Sequence, residues 1–158
     1  MDTQTPATEH ISVNSPVGPL TVWVTDGAIT RLDWTDQPQS GDAPILAEAA
    51  QQLAEYFAGT RQVFDLPLAP KGSDFQVAVC SAMSAIPFGE TRTYGDIARD
   101  LGVPAQAIGQ ACGGNPIPVI IPCHRVLGAS GLGGFSGAGG VEAKVALLKH
   151  EGAASLLI

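Results

Sequence analysis

The chain has 158 residues, 45% hydrophobic and 15% charged, which is enough for a real core and argues against wholesale disorder. The net charge of −7 belongs to the first 70 residues, which carry nine acidic and two basic side chains, whereas residues 71–158 carry six of each. No basic patch stands out, so charge alone neither makes nor excludes a nucleic-acid partner.

The opening MDTQTPATEH lacks the basic start and apolar middle of a secretory signal, and no apolar run reaches membrane-spanning length. A cytoplasmic protein with no membrane association is expected. Residues 10–35 predict two or three antiparallel strands, with turns at Ser15–Gly18 and Asp26-Gly27. After a polar loop, Ile45, Leu46, Ala49, Leu53, Tyr56 and Phe57 recur at helical spacing, and Gly59 stops the helix. Val63–Leu68 reads as a short strand and APKG as a linker. The expectation is two domains, a strand-rich α/β unit over 1–70 and a second unit over 71–158.

In the second unit, Ser73 or Asp74 caps a helix running to about Ile86, with Phe75, Val79, Ala82, Met83 and Ile86 on one face. TRTYGDIARDLG predicts a helix capped by Thr93, with Ile97, Ala98 and Leu101 inward and Gly102 as its stop. A helix from Pro104 to Gly113-Gly114 follows. Two short helices joined by a three-residue glycine turn make the helix-turn-helix pattern, which a helical hairpin shares. The small residues Ala105, Ala107, Gly109 and Ala111 suit close approach to a partner and tight core packing equally. Residues 128–141 form a glycine-rich loop without the GK[ST] or GxGxxG of a phosphate site. Residues 141–151 predict a last helix with Val145, Leu147 and Leu148 inward.

Between these helices lies NPIPVIIPCHRV, read as a buried strand delivering Cys123 beside His124. Cys80, Cys112 and Cys123 contain no CxxC pair and supply neither a disulfide framework nor a four-ligand zinc site. Cys123 is either a small buried hydrophobe or a nucleophile. Neighbouring side chains on a strand face opposite ways, so direct contact with His124 needs a turn after Pro122 or a bridging water. With Glu151 beside His150, a thiol, an imidazole and a carboxylate are all available.

GNPIPVIIPCHRVLG, with GETRTYGDIARDLG before it and GGFSGAGGVEAKVALLKHEG after it, resembles the O6-alkylguanine-DNA alkyltransferases, also called methylated-DNA–protein-cysteine methyltransferases. The resemblance covers about Gly72 to Gly152, and more loosely the first half through SPVGPLTV and AEYFAG. It implies an α+β fold, with an antiparallel-sheet first subdomain of ribonuclease H-like type and a helical second one. It also implies a monomer that binds double-stranded DNA through a minor-groove helix-turn-helix and flips the damaged base. The alkyl group then passes once and irreversibly from O6 of guanine, or O4 of thymine, to the cysteine. No metal or organic cofactor is implied.

By position, Cys123 matches the acceptor, His124 the base acting through a water, and Glu151 the carboxylate orienting it. Asn115 matches the residue bracing the turn before the cysteine, and Tyr94 the residue that rotates the phosphate and assists protonation of the leaving guanine. Thr93, Tyr94, Ala105, Gln106, Gly109, Gln110 and Arg125 fall at the DNA, with Arg125 read mainly as an ion-pair residue. Cys112, Val126, Phe135, Ser136 and Gly137 fall at the guanine pocket.

Several positions depart from the pattern. Gln106 stands where relatives carry an arginine that fills the flipped base's gap, which predicts weaker DNA binding or slower flipping. Phe135 stands where many have a tyrosine. Cys80 and Cys112 read as buried small hydrophobes, and His10 as a surface residue. Two other readings compete: a lesion-binding protein of this fold that does not repair, and a Cys-His thiol hydrolase.

Overall fold

Alternating side chains in LTVWVT and AITRLD build an antiparallel sheet in the order β1 (Thr8–Val13), β2 (Leu20–Thr25), β3 (Ala28–Asp33). The computed structural model describes residues 8–133 and 140–153, and the chain divides into two units, 1–70 and 71–158.

In the first unit Leu20, Val22, Val24, Ile29 and Leu32 are buried. Helix α1 (Pro44–Ala58) contributes Leu46, Ala49, Leu53 and Tyr56 to the same core. Proline starts α1, and Gly59, at φ 85, ends it in the left-handed conformation that costs glycine least. His10 is not a plain surface residue: it is half-buried, stacked 4.4 Å from the Trp23 ring. Val63–Leu68 does not form the expected strand and makes a single parallel bridge, Ile29 to Leu68. Pro67 has no amide to donate, and Gln52 holds the backbone of Asp65 through both ends of its side chain.

In the second unit α2 (Asp74–Ser84) starts at Ser73, whose Oγ accepts from the Gln76 amide. The helix stops before Ile86, although Ile86 is still buried. Phe75 and Leu101, both expected inward, are 37% and 36% exposed, because each lies at a helix end where the packed stripe has already turned away. Helix α3 (Tyr94–Leu101) has a complete capping box between Thr93 and Asp96 and a left-handed Gly102 after it. Residues 102–104 turn the chain into α4 (Ala105–Gly113), which packs on both α2 and α3.

Strands β4 (Arg92–Thr93) and β5 (Val126–Leu127) pair in parallel; two residues apiece are too short to show periodicity in sequence. Helix α5 (Val141–Glu151) buries Ala143, Leu147, Leu148 and Lys144, with Val145 half-buried. Among the described residues no helix is long and apolar enough to cross a membrane.

Candidate active site

The segment after α4 is a braced turn, not the expected strand. Pro116, Pro118 and Pro122 lack amide protons, so no strand ladder can run through them. The chain folds back instead, with the Ile121 amide donating to the Ile117 carbonyl at 2.9 Å. Val119 is forced to φ 74, a left-handed conformation that a β-branched residue adopts only when its surroundings impose it. Those surroundings are Asn115, whose Nδ2 donates to Ile121 O at 2.9 Å while its Oδ1 accepts from Ile117 N at 3.0 Å. Ile117, Val119, Ile120 and Ile121 are all buried around it.

Pro122 then opens a single 3-10 turn, Cys123–Arg125. Side chains in such a turn point about 120° apart, so Cys123 and His124 do not face opposite ways as they would on a strand. Cys123 is 4% exposed and His124 fully buried. Burial pushes the Cys123 thiol up to about 11, while the Asn115 amide and the Lys144 ammonium pull it down.

Glu151, the last residue of α5, ties the turn down. Its carboxylate accepts from Arg125 Nε at 2.8 Å and Arg125 Nη2 at 3.0 Å, and lies 2.7 Å from His124 Nε2. A carboxylate holding a guanidinium has no proton to give, so Nε2 carries the hydrogen and His124 Nδ1 keeps its lone pair. Nδ1 is buried and has no hydrogen-bond partner among the described residues. Burial holds the His124 pKa below its ordinary value, against the raising effect of Glu151. The imidazole is therefore neutral near pH 7, with its basic nitrogen unengaged.

Arg125, placed at the DNA by resemblance, is an interior residue here. Its remaining Nη1 donates to Ile86 O at 2.6 Å, so the whole guanidinium is committed inside the protein. Val126 is fully buried in β5. Cys112 is buried with its sulfur 3.5 Å from that of Met83, and burial drives its thiol up to about 12. Cys80 is also buried, its thiol raised by the same cause.

Tyr94 opens α3 half-buried, and a Cβ at Gly133 would come within 2.6 Å of its hydroxyl; with φ 73 as well, that position requires glycine. On the surface of α4, Ala105, Gln106 and Gln110 are exposed and Gly109 half-buried, while the Thr93 hydroxyl is used as the α3 cap. Phe135, Ser136 and Gly137 lie outside the described residues.

The sequence reading passed over Lys144. This lysine is fully buried, donates from Nζ to Val126 O at 2.6 Å, and sits 5.9 Å from the Tyr94 ring. Its charge acts on both Cys123 and Cys112, and its own pKa is lowered by burial. The signal was present: positions 144, 147, 148 and 151 form one helical stripe, so a lysine in it must face the core. A neutral imidazole oriented by a carboxylate, adjacent in the chain to a buried thiol on which a cation acts, is equipped for proton removal followed by nucleophilic attack.

Comparison with known proteins gives the same direction. Residues 74–153 match the 6-O-methylguanine DNA methyltransferase DNA-binding domain, and residues 10–70 match the ribonuclease-like domain of the same family. A methylated-DNA–protein-cysteine methyltransferase of Mycolicibacterium paratuberculosis is 42% identical, over 90% of this chain and 92% of its own. The constitutive one of Bacillus subtilis is also 42% identical, over 90% and 94%. The crystal structure of Mycobacterium tuberculosis OGT in complex with DNA has a TM-score of 0.80 at 44% identity, covering 90% of this chain and 92% of that one. The chain belongs to the 6-O-methylguanine DNA methyltransferase family.

Proposed function

We propose that the protein repairs duplex DNA by moving an alkyl group from O6 of guanine, or O4 of thymine, onto Sγ of Cys123, once per molecule. The observation that carries this reading is the buried Cys123–His124–Glu151 array, with the lone pair of His124 Nδ1 unengaged. His124 takes the thiol proton through a water, and the thiolate attacks the alkyl carbon. The S–C bond forms as the C–O bond breaks, and the proton is returned to the leaving base with the help of Tyr94. Glu151 holds the imidazole in the tautomer this requires, and Arg125 keeps that carboxylate ionised and in place. Lys144 stabilises negative charge at Cys123 before transfer. Asn115 and the strained Val119 fix where the thiol points.

Because the alkylated oxygen is inaccessible in a stacked duplex, the base must be flipped out. Helices α3 and α4 serve as the helix-turn-helix, entering the minor groove with Ala105, Gln106, Gly109 and Gln110 facing the DNA. The flipped base lies against Cys112 and Val126. The protein acts as a monomer in the cytoplasm.

The test uses duplex DNA with a labelled methyl group on guanine O6, followed by intact-mass measurement. One methyl adduct per molecule is expected, absent in Cys123→Ala. Tight binding without an adduct would instead make this a lesion-binding protein. Repeated turnover of thioesters or peptides would favour a thiol hydrolase.

A further inference from the structure

We propose that the groove between α2 and α4 is a nucleoside-contact subsite, taking the sugar and base edge of one residue of the bound strand. The inference rests on the reading of α3 and α4 as the DNA-binding element, and it extends that surface to a second element, α2.

Phe75 is a large aromatic side chain left 37% exposed at the second position of α2. Its ring does not project alone into solvent. With Gln76, Ala107, Gln110 and Ala111 it lines an open groove of about 230 Å³. Gln110 belongs both to this groove and to the exposed face of α4, one helical turn beyond Gln106. The groove is therefore continuous with the surface that faces DNA. Helix α2 also lies within the matched DNA-binding domain, which begins at residue 74.

The chemistry of the lining selects the occupant. No lining residue is charged, so the groove offers no cation to a phosphate. The cations of α3 and its approach are already engaged, Arg92 with Asp100 and Arg99 with Asp96. What the groove does offer is a π-face for a sugar or base, and a carboxamide that can both donate and accept. The minor groove presents acceptors at every base pair and a donor on guanine, which a carboxamide can meet.

The two glutamines differ in freedom. Gln76 is fixed, its Nε2 donating to Ala111 O at 2.7 Å and its Oε1 lying 3.1 Å from where a Cβ on Gly114 would stand. It forms a rigid wall and holds the end of α4. Gln110 is exposed and able to turn toward a base.

The test measures binding of the full-length protein to a fluorescein-labelled duplex carrying O6-methylguanine, for wild type, Phe75→Ala, Phe75→Leu and Gln110→Ala. Thermal melting of each variant provides the folding control. Phe75→Ala is expected to weaken binding roughly tenfold, by the same factor at low and high salt, with Phe75→Leu in between. Gln110→Ala weakens it by a smaller factor. In Phe75→Ala and Phe75→Leu, methyl transfer from the free base O6-methylguanine stays at the wild-type rate, because it needs no DNA strand. Wild-type affinity in Phe75→Ala overturns the subsite whatever Gln110→Ala does, because Gln110 already belongs to the DNA-facing surface of α4; the repair reading stays intact if wild type still binds and is methylated. Failure of wild type to bind the duplex removes both. If Phe75→Ala does not fold, Phe75→Leu decides the matter.

Discussion

His124 is held neutral by burial even though Glu151 and its hydrogen bond favour the charged form. Its folded pKa lies below its ordinary 6.5, and the consequence for stability has a definite sign. Above about pH 6.5 the imidazole is neutral in both states and contributes no pH dependence. Below it, the unfolded chain takes up a proton that the folded protein refuses, so stability falls as pH falls. The slope approaches about 1.4 kcal/mol per pH unit until the folded pKa is reached. Urea denaturation between pH 5.5 and 7.5 should show midpoints falling on the acid side of 6.5, and His124→Gln should lose that slope. A flat profile would mean that the imidazole gains its proton inside the fold, leaving Nδ1 unable to act as a base. Arg125 and Lys144 make the same point about environment. Both are basic, both are buried, and both spend their donors on Glu151, Ile86 or Val126 within the protein.

Among the elements, α3 carries its own start and stop. Thr93 and Asp96 satisfy each other's backbone amides, and Gly102 closes the last turn from the left-handed region. Thr93→Ala should cost about 1 kcal/mol of unfolding free energy, read from the urea midpoint. A loss near zero would mean that water replaces the cap at no cost. Such local signals are why α3 and α1 could be read from sequence: capping side chains, proline starts and glycine stops act within four or five residues. The segment around Cys123 was misread as a strand because an apolar run looks alike whether it is extended or folded back. Three prolines and the Asn115 side chain decided the outcome, and Asn115 works through a partner six residues away. The pairing of Arg92–Thr93 with Val126–Leu127 was illegible for a related reason, since contact across more than thirty residues leaves no local pattern. Cys123, His124 and Glu151 were picked out by residue type and order. That Arg125 joins Glu151 and that the charge of Lys144 acts on the thiol became visible only when α5 was packed against the turn. Phe75 shows the opposite error: helical spacing put it inward, but the stripe drifts as it approaches the helix end.

At the scale of the whole molecule, charge is distributed unlike that of a protein held to DNA by phosphate contacts. Residues 1–70 carry a net −7 and residues 71–158 a net zero, so the acidic surplus adds no attraction anywhere. Of the six cations in the second unit, Arg125 and Lys144 are buried, and Arg92 and Arg99 are paired with aspartates. Lys71 and Lys149 remain exposed. With about two cations to displace counterions, the slope of log affinity against log salt should be no steeper than about −2. Raising salt from 50 to 200 mM should then weaken duplex binding by roughly tenfold, where six to ten phosphate contacts would cause a loss of about 10³ to 10⁵. Binding anisotropy over that range checks this directly. A slope of about −3.6 would require Arg92 and Arg99 to leave their aspartates for the backbone, and Asp96→Asn and Asp100→Asn would then tighten binding. A shallow slope means that affinity comes from the uncharged surface of α4 and its neighbours, to which Gln106 brings no charge. Arginine at position 106 should in that case raise affinity and steepen the slope by about one unit together, because the added charge displaces one more counterion.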